Sequence, residues 1–128
     1  MAGTYKIMIA DDFPILREDL AEVIREQPDM EVVGEASTGK EIVALAESMD
    51  YDLILMDIQM PNMDGYKATQ VIRRLPDREK SGIPIIAMTA NAFEEDRKKA
   101  LEMGMNDHIA KPIDAARIRE VLSSILKA

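Results

Sequence analysis

The chain has no cysteine and no tryptophan among its 128 residues. Without cysteine there is no disulfide framework, no thiol nucleophile and no thiolate metal site. No apolar run approaches the roughly 20 residues that a membrane-spanning helix needs. The opening "MAGTYKIMIADD" reaches a charged pair after four apolar residues, too few for a secretory signal. Basic charge is scarce too: 16 Lys and Arg stand against 24 Asp and Glu, a formal net charge of −8. A nucleic-acid binder presents a basic face. Here the lysines and arginines are scattered among more numerous acids, so direct DNA or RNA binding is not expected. A soluble cytoplasmic protein is the default, and the length suits one ordinary domain.

What is present is an alternation of short β-like runs and helix-like segments. "YKIMIA" (Tyr5 to Ala10), "MEVVGEA" (Met30 to Ala36), "DLILMD" (Asp52 to Asp57), "IPIIAMT" (Ile83 to Thr89) and the short "DHIA" (Asp107 to Ala110) read as strands. Helical spacing puts Leu16, Leu20, Val23 and Ile24 on one face of a helix starting at Pro14. Ile42, Leu45, Ala46 and Met49 share a face of the next, capped by Ser37 or Thr38. Asp64 is the expected cap of a third, with Ala68, Val71, Ile72 and Leu75 on one side. "LPDREKSG" reads as a polar connection, and a charged helix runs from about Asn91 to Met103. The last helix follows Pro112, with Ile118, Val121, Leu122 and Ile125 together.

Strands that are apolar on both faces belong to a parallel sheet covered by helices on both sides. Right-handed crossovers leave few topologies. The expected α/β fold is a single doubly wound domain over residues 1–128, its five parallel strands in the flavodoxin-like order 2-1-3-4-5. The chain stops just after its last helix, so no second domain is expected.

In such a sheet, sites form at the carboxyl ends of the strands. The first strand ends at Asp11 and Asp12, the third at Asp57 and the fourth at Thr89, and Lys111 follows the fifth. Three carboxylates in one crevice would raise one another's pKa values. A divalent cation removes that conflict. Oxygen-only ligands favour Mg²⁺, or a similar hard ion such as Mn²⁺. A cation, a lysine and a hydroxyl together suit a phosphoryl group, with Asp57 as the nucleophile. Taken singly, "DD" after a strand is more often a solvated turn, "MTA" a strand end and helix cap, and "KP" a surface turn. The joint pattern is what carries weight, because each element closes its strand in order.

"ADD" at 10–12, "LILMDIQMPNMDG" at 53–65, "PIIAMTA" at 84–90 and "AKPI" at 110–113 resemble the receiver domains of two-component response regulators. The resemblance spans almost the whole chain. It implies that Asp57 is the phosphoacceptor. It also implies that Asp12 binds Mg²⁺ directly, Asp11 largely through water, and Gln59 through its backbone carbonyl. By the same resemblance Thr89 contacts the phosphoryl group and reorients, Lys111 binds a phosphoryl oxygen, and the Lys111–Pro112 peptide is cis. Gln59 and Asn91 flank the path of the water that hydrolyses the acyl phosphate. A histidine kinase or histidine phosphotransfer domain is the implied donor. Dimerisation through the fourth and fifth helices is common in the family.

One departure stands out. The family usually has Tyr or Phe three residues before the lysine, where this chain has His108. It reads either as a tolerated, partly exposed ring or as a titratable switch residue. Phe13, Pro14 and Ile15 read equally as a docking patch or as a helix's first turn. The ten methionines read as core filler. The N-terminal half is more similar to receivers of DNA-binding transcription regulators, and the C-terminal half to those of hybrid histidine kinases, the pattern of an engineered or recombined receiver.

Rival readings meet specific obstacles. A phosphatase of the haloacid-dehalogenase type needs a second aspartate where Gln59 stands. A flavin module needs a hydroxyl- or glycine-rich phosphate loop where "DDFP" stands. A pseudo-receiver would not need the complete acid, threonine and lysine set.

Overall fold

Strands β1 (Tyr5–Ala10), β3 (Leu53–Asp57) and β4 (Ile85–Thr89) lie in the middle of one parallel sheet, flanked by β2 (Met30–Ala36) and β5 (Asp107–Ala110). The strand order is β2-β1-β3-β4-β5. This computed structural model describes residues 4–58, 60, 63–89, 94–110 and 115–126. Every residue of β3 and β4 is buried, as continuous apolar runs require when helices cover both faces of a sheet. The fourth strand starts at Ile85 rather than Ile83. Pro84 has no N–H to pair, and Asn106 Oδ1 takes the N–H of Ile85 at 2.9 Å.

Period-two alternation sorts the strand side chains into two cores. On one face, α1 (Pro14–Arg25) and α6 (Ala115–Leu126) pack Leu20, Ala21, Ile24, Ile118 and Val121 against Ile7, Ile9, Leu53 and Leu55. On the other, α2 (Gly39–Ser48), α3 (Gly65–Arg73) and α5 (Glu94–Glu102) pack Ile42, Ala46, Ala68, Ile72 and Ala100 against Met8, Ala10, Ile54 and Met56. Each fully buried Ile or Leu contributes about 1.5–3 kcal/mol relative to exposure. The helix starts obey their capping chemistry. Thr38, rather than Ser37, caps α2 by accepting the N–H of Glu41, and Asp64 caps α3 by accepting that of Lys67.

Two features depart from the simple pattern. The connection "LPDREKSG" contains a single helical turn, α4 (Arg78–Ser81), because the Asp77 carboxylate accepts the N–H groups of Glu79 and Lys80. The β1–β2 pairing also slips by one residue. Ile7 faces Val32 but Met8 faces Gly34, which leaves Val33 as a bulge. After the bulge the alternation is inverted, so Glu35, opposite Ile9, points to the α1 side.

At the amino end of the sheet, Arg73 ties several segments together. Its guanidinium donates to the carbonyls of Gly104, Ser81 and Ile83 and to Asn106 Oδ1, at 2.6–2.9 Å. Burial lowers its pKa. Nearby Tyr51 is also buried, which pushes its phenol up to about 12.

Candidate functional site

The carboxyl rim gathers the acids. Asp11 directly follows β1 and Asp57 ends β3, and both are buried, while Asp12 is exposed. One carboxylate oxygen from each of Asp11, Asp12 and Asp57 lies within 4.8 Å of the others. This is the only such trio of potential ligands among the described residues. The donor set is three carboxylates, with no nitrogen or sulfur, which suits a hard divalent cation of the Mg²⁺ kind. Thr89 ends β4, one residue beyond the partner of Asp57 in the register, and is buried at the same rim.

The backbone around the acids is held from several sides. The N–H of Asp11 donates to Ala36 O at 3.0 Å, and its Oδ1 accepts the N–H of Phe13 at 3.0 Å. Behind Asp57 the chain turns back on itself, and the N–H of Gly65 donates to Ile58 O at 2.8 Å. A Cβ on Gly65 would stand 2.3 Å from the Asp57 carbonyl oxygen, so only glycine lets α3 begin this close. Gly39 makes a similar approach, where a Cβ would meet Met63 O at 2.2 Å.

The structure brings Asp11, Asp12, Asp57 and Thr89 to one rim. Gln59, Asn91, Lys111 and Pro112, with the Lys111–Pro112 peptide, lie outside the described residues. His108 pairs with Ala87 across the β4–β5 register. Its side chain is 13% exposed, and both ring nitrogens are buried without a hydrogen-bond partner among the described residues. Its Nδ1 lies 3.9 Å from Asp107 Oδ1.

Leu16 corrects the expected face of the first helix. It is exposed together with Phe13 and Ile15, and Leu20, Ala21 and Ile24 carry the packing. Two supporting residues escaped the sequence reading. Gly65 lay inside a recognised motif, but its close approach to Asp57 is a tertiary fact. Arg17 carries no local signal, yet its Nη1 donates to the Asp11 carbonyl at 2.7 Å.

The model of the response regulator receiver domain matches residues 7–123. The chain belongs to that family. This receiver is 37% identical over 116 residues to the signal transduction histidine-protein kinase BarA of Escherichia coli, covering 91% of the chain and 12% of BarA. It is 36% identical, over the same length and share, to the nitrate/nitrite response regulator protein NarL of Escherichia coli, covering 52% of NarL. It therefore spans a small part of one relative and about half of the other. Among solved structures, the receiver domain of sensor histidine kinase PA1611 from Pseudomonas aeruginosa is 34% identical with a TM-score of 0.85, covering 98% of this chain and 100% of that one. That relative holds a magnesium ion in its active-site cleft. The sheet, its order and the covering helices are those of the flavodoxin-like receiver fold. The chain is thus a two-component receiver domain. Among the described residues, no helix is long and apolar enough to cross a membrane.

Proposed function

We propose that residues 1–128 form a phosphoacceptor unit that takes a phosphoryl group onto Asp57. The observation that carries this reading is the meeting of Asp11, Asp12 and Asp57 within 4.8 Å at the strand ends. A carboxylate oxygen of Asp57 attacks the phosphorus of a phosphohistidine. The P–N bond breaks as the acyl phosphate forms, and the imidazole nitrogen takes a proton as it leaves. Asp11, Asp12, Asp57 and the Gln59 carbonyl would hold Mg²⁺, or Mn²⁺ in its place. Bound there, the cation supplies positive charge for the phosphoryl oxygens. Thr89 contacts the phosphoryl oxygens and switches with them, and Lys111 pairs with one of them. Slow hydrolysis of the acyl phosphate then resets the domain, with Gln59 and Asn91 tuning its lifetime, His108 standing at the switch position of the family's usual aromatic, and Pro112 fixing the turn after Lys111.

The donor is a histidine kinase or a histidine phosphotransfer domain. The support for such a partner is the exposed apolar group Phe13, Ile15 and Leu16, which lies just past the acids at the start of α1. Solvent-facing apolar groups beside a transfer site suit docking of a helical donor. The setting is cytoplasmic, and neither a membrane nor a nucleic acid enters directly.

The test is labelling with acetyl phosphate in the presence of Mg²⁺. Wild type gains one phosphoryl group by mass, and Asp57→Asn gains none. No gain in wild type would refute the reading, and a gain retained in Asp57→Asn would move the acceptor elsewhere.

A further inference from the structure

We infer that Arg17 is a positioning residue for the divalent-cation site, acting through the backbone of Asp11 and balanced by Glu35. The inference rests on reading the three aspartates as that site. Arg17 lies in the first turn of α1, where its N–H donates to Phe13 O at 3.0 Å. Long side chains on a helix lean toward its N-terminus, and this one reaches back to the chain segment that carries the acids. Its Nη1 donates to the Asp11 carbonyl at 2.7 Å. With Ala36 O on the Asp11 N–H and the Phe13 N–H on Asp11 Oδ1, both backbone polar groups and one carboxylate oxygen of Asp11 are fixed. The peptide that Arg17 grips is the one joining Asp11 to Asp12, so both acids inherit the restraint.

Charge works in the opposite direction. A guanidinium near a cation site weakens binding unless an acid offsets it. Glu35 supplies that acid, with its Oε1 3.4 Å from Arg17 Nε in an ion pair that lacks hydrogen-bond geometry. Arg25 holds the other oxygen of Glu35 at 3.4 Å. Glu41, whose pKa is lowered mainly by the Ser37 hydroxyl, also feels the Arg17 charge. Glu35 reaches this place only because of the Val33 bulge. In an unbroken register it would stand opposite Ala10, on the α2 and α3 face. Bulges beside active sites characteristically re-aim a side chain, and here the re-aimed one balances the residue that grips the acid loop.

A rigid acid pair favours small Mg²⁺, which demands near-ideal geometry, over larger and more tolerant Ca²⁺. The experiment is calorimetric titration of the chain with Mg²⁺ and with Ca²⁺, alongside circular dichroism of each metal-free variant. In Arg17→Ala, Mg²⁺ affinity should fall about tenfold, the low end for loss of a residue that orients metal ligands. Ca²⁺ affinity should fall less, so discrimination drops about fivefold on the same geometric argument. Arg17→Lys should recover part of both. In Glu35→Gln both ions should weaken by a similar factor, about threefold, because only charge has changed. Equal Mg²⁺ affinity and discrimination in wild type and a folded Arg17→Ala would overturn the inference alone. Failure of Arg17→Lys to recover discrimination, with a native dichroism spectrum, would do the same. No Mg²⁺ binding by wild type would remove the site reading itself, and the inference with it.

Discussion

His108 is the residue whose environment fits its chemistry least well. A buried polar group without a partner costs roughly 1–3 kcal/mol, and neither ring nitrogen has one among the described residues. His108→Phe keeps the ring volume and removes the orphaned atoms. It should stabilise the fold by about 1 kcal/mol, read as a higher midpoint in thermal or urea unfolding. An unchanged or lower midpoint would mean that the nitrogens are satisfied in solution. The departure from the usual Tyr or Phe was legible in the sequence, because it sits at a fixed distance from Lys111. The burial of the ring was not, since it depends on how β5 lies against β4.

At the scale of elements, the strands were legible because a period of two and a continuous apolar run are local signals. Asp64 and Thr38 as caps were legible for the same reason. The turn α4 was not, since four polar residues carry no hydrophobic period and only the Asp77 carboxylate organises them. The exposure of Leu16 was equally hidden. Helical spacing identifies a face, but not how far along it the packing extends. Arg73 belongs to this group, because its four acceptors come from α4, the entry to β4 and the α5–β5 turn. Arg73→Met would leave three half-buried carbonyls without this donor and should destabilise the fold by about 3 kcal/mol. Mg²⁺ affinity should hold near the wild-type value, because Arg73 lies at the amino end of the sheet and the acids at the carboxyl end. Denaturant unfolding and metal titration of the same sample check both halves of that statement.

For the molecule as a whole, three acids at one rim add local repulsion to a chain already carrying a net charge of −8. A cation that binds only the folded form stabilises it by mass action, by about 2.7 kcal/mol at a hundredfold excess over its dissociation constant. Mg²⁺ should therefore raise the melting temperature, EDTA should reverse the gain, and Asp12→Asn should blunt it. A Mg²⁺ response undiminished in Asp12→Asn would place the cation elsewhere. The meeting of the three acids and Thr89 at the rim could be anticipated from sequence, since each stands at the end of a strand. The struts behind it, Arg17 and Gly65, could not, because their contacts join segments that sequence spacing does not relate.

The slipped pairing at Val33 has a consequence for how this strand can change over time. One surplus residue acts as a half-period shift in a two-residue wave, so everything from Gly34 to Ala36 is read in the opposite sense from Met30 to Val32. Exchanging Val33 for another side chain leaves that shift in place, whereas losing the residue undoes it. At this position the count of residues, more than their identity, decides which side of the sheet Glu35 serves.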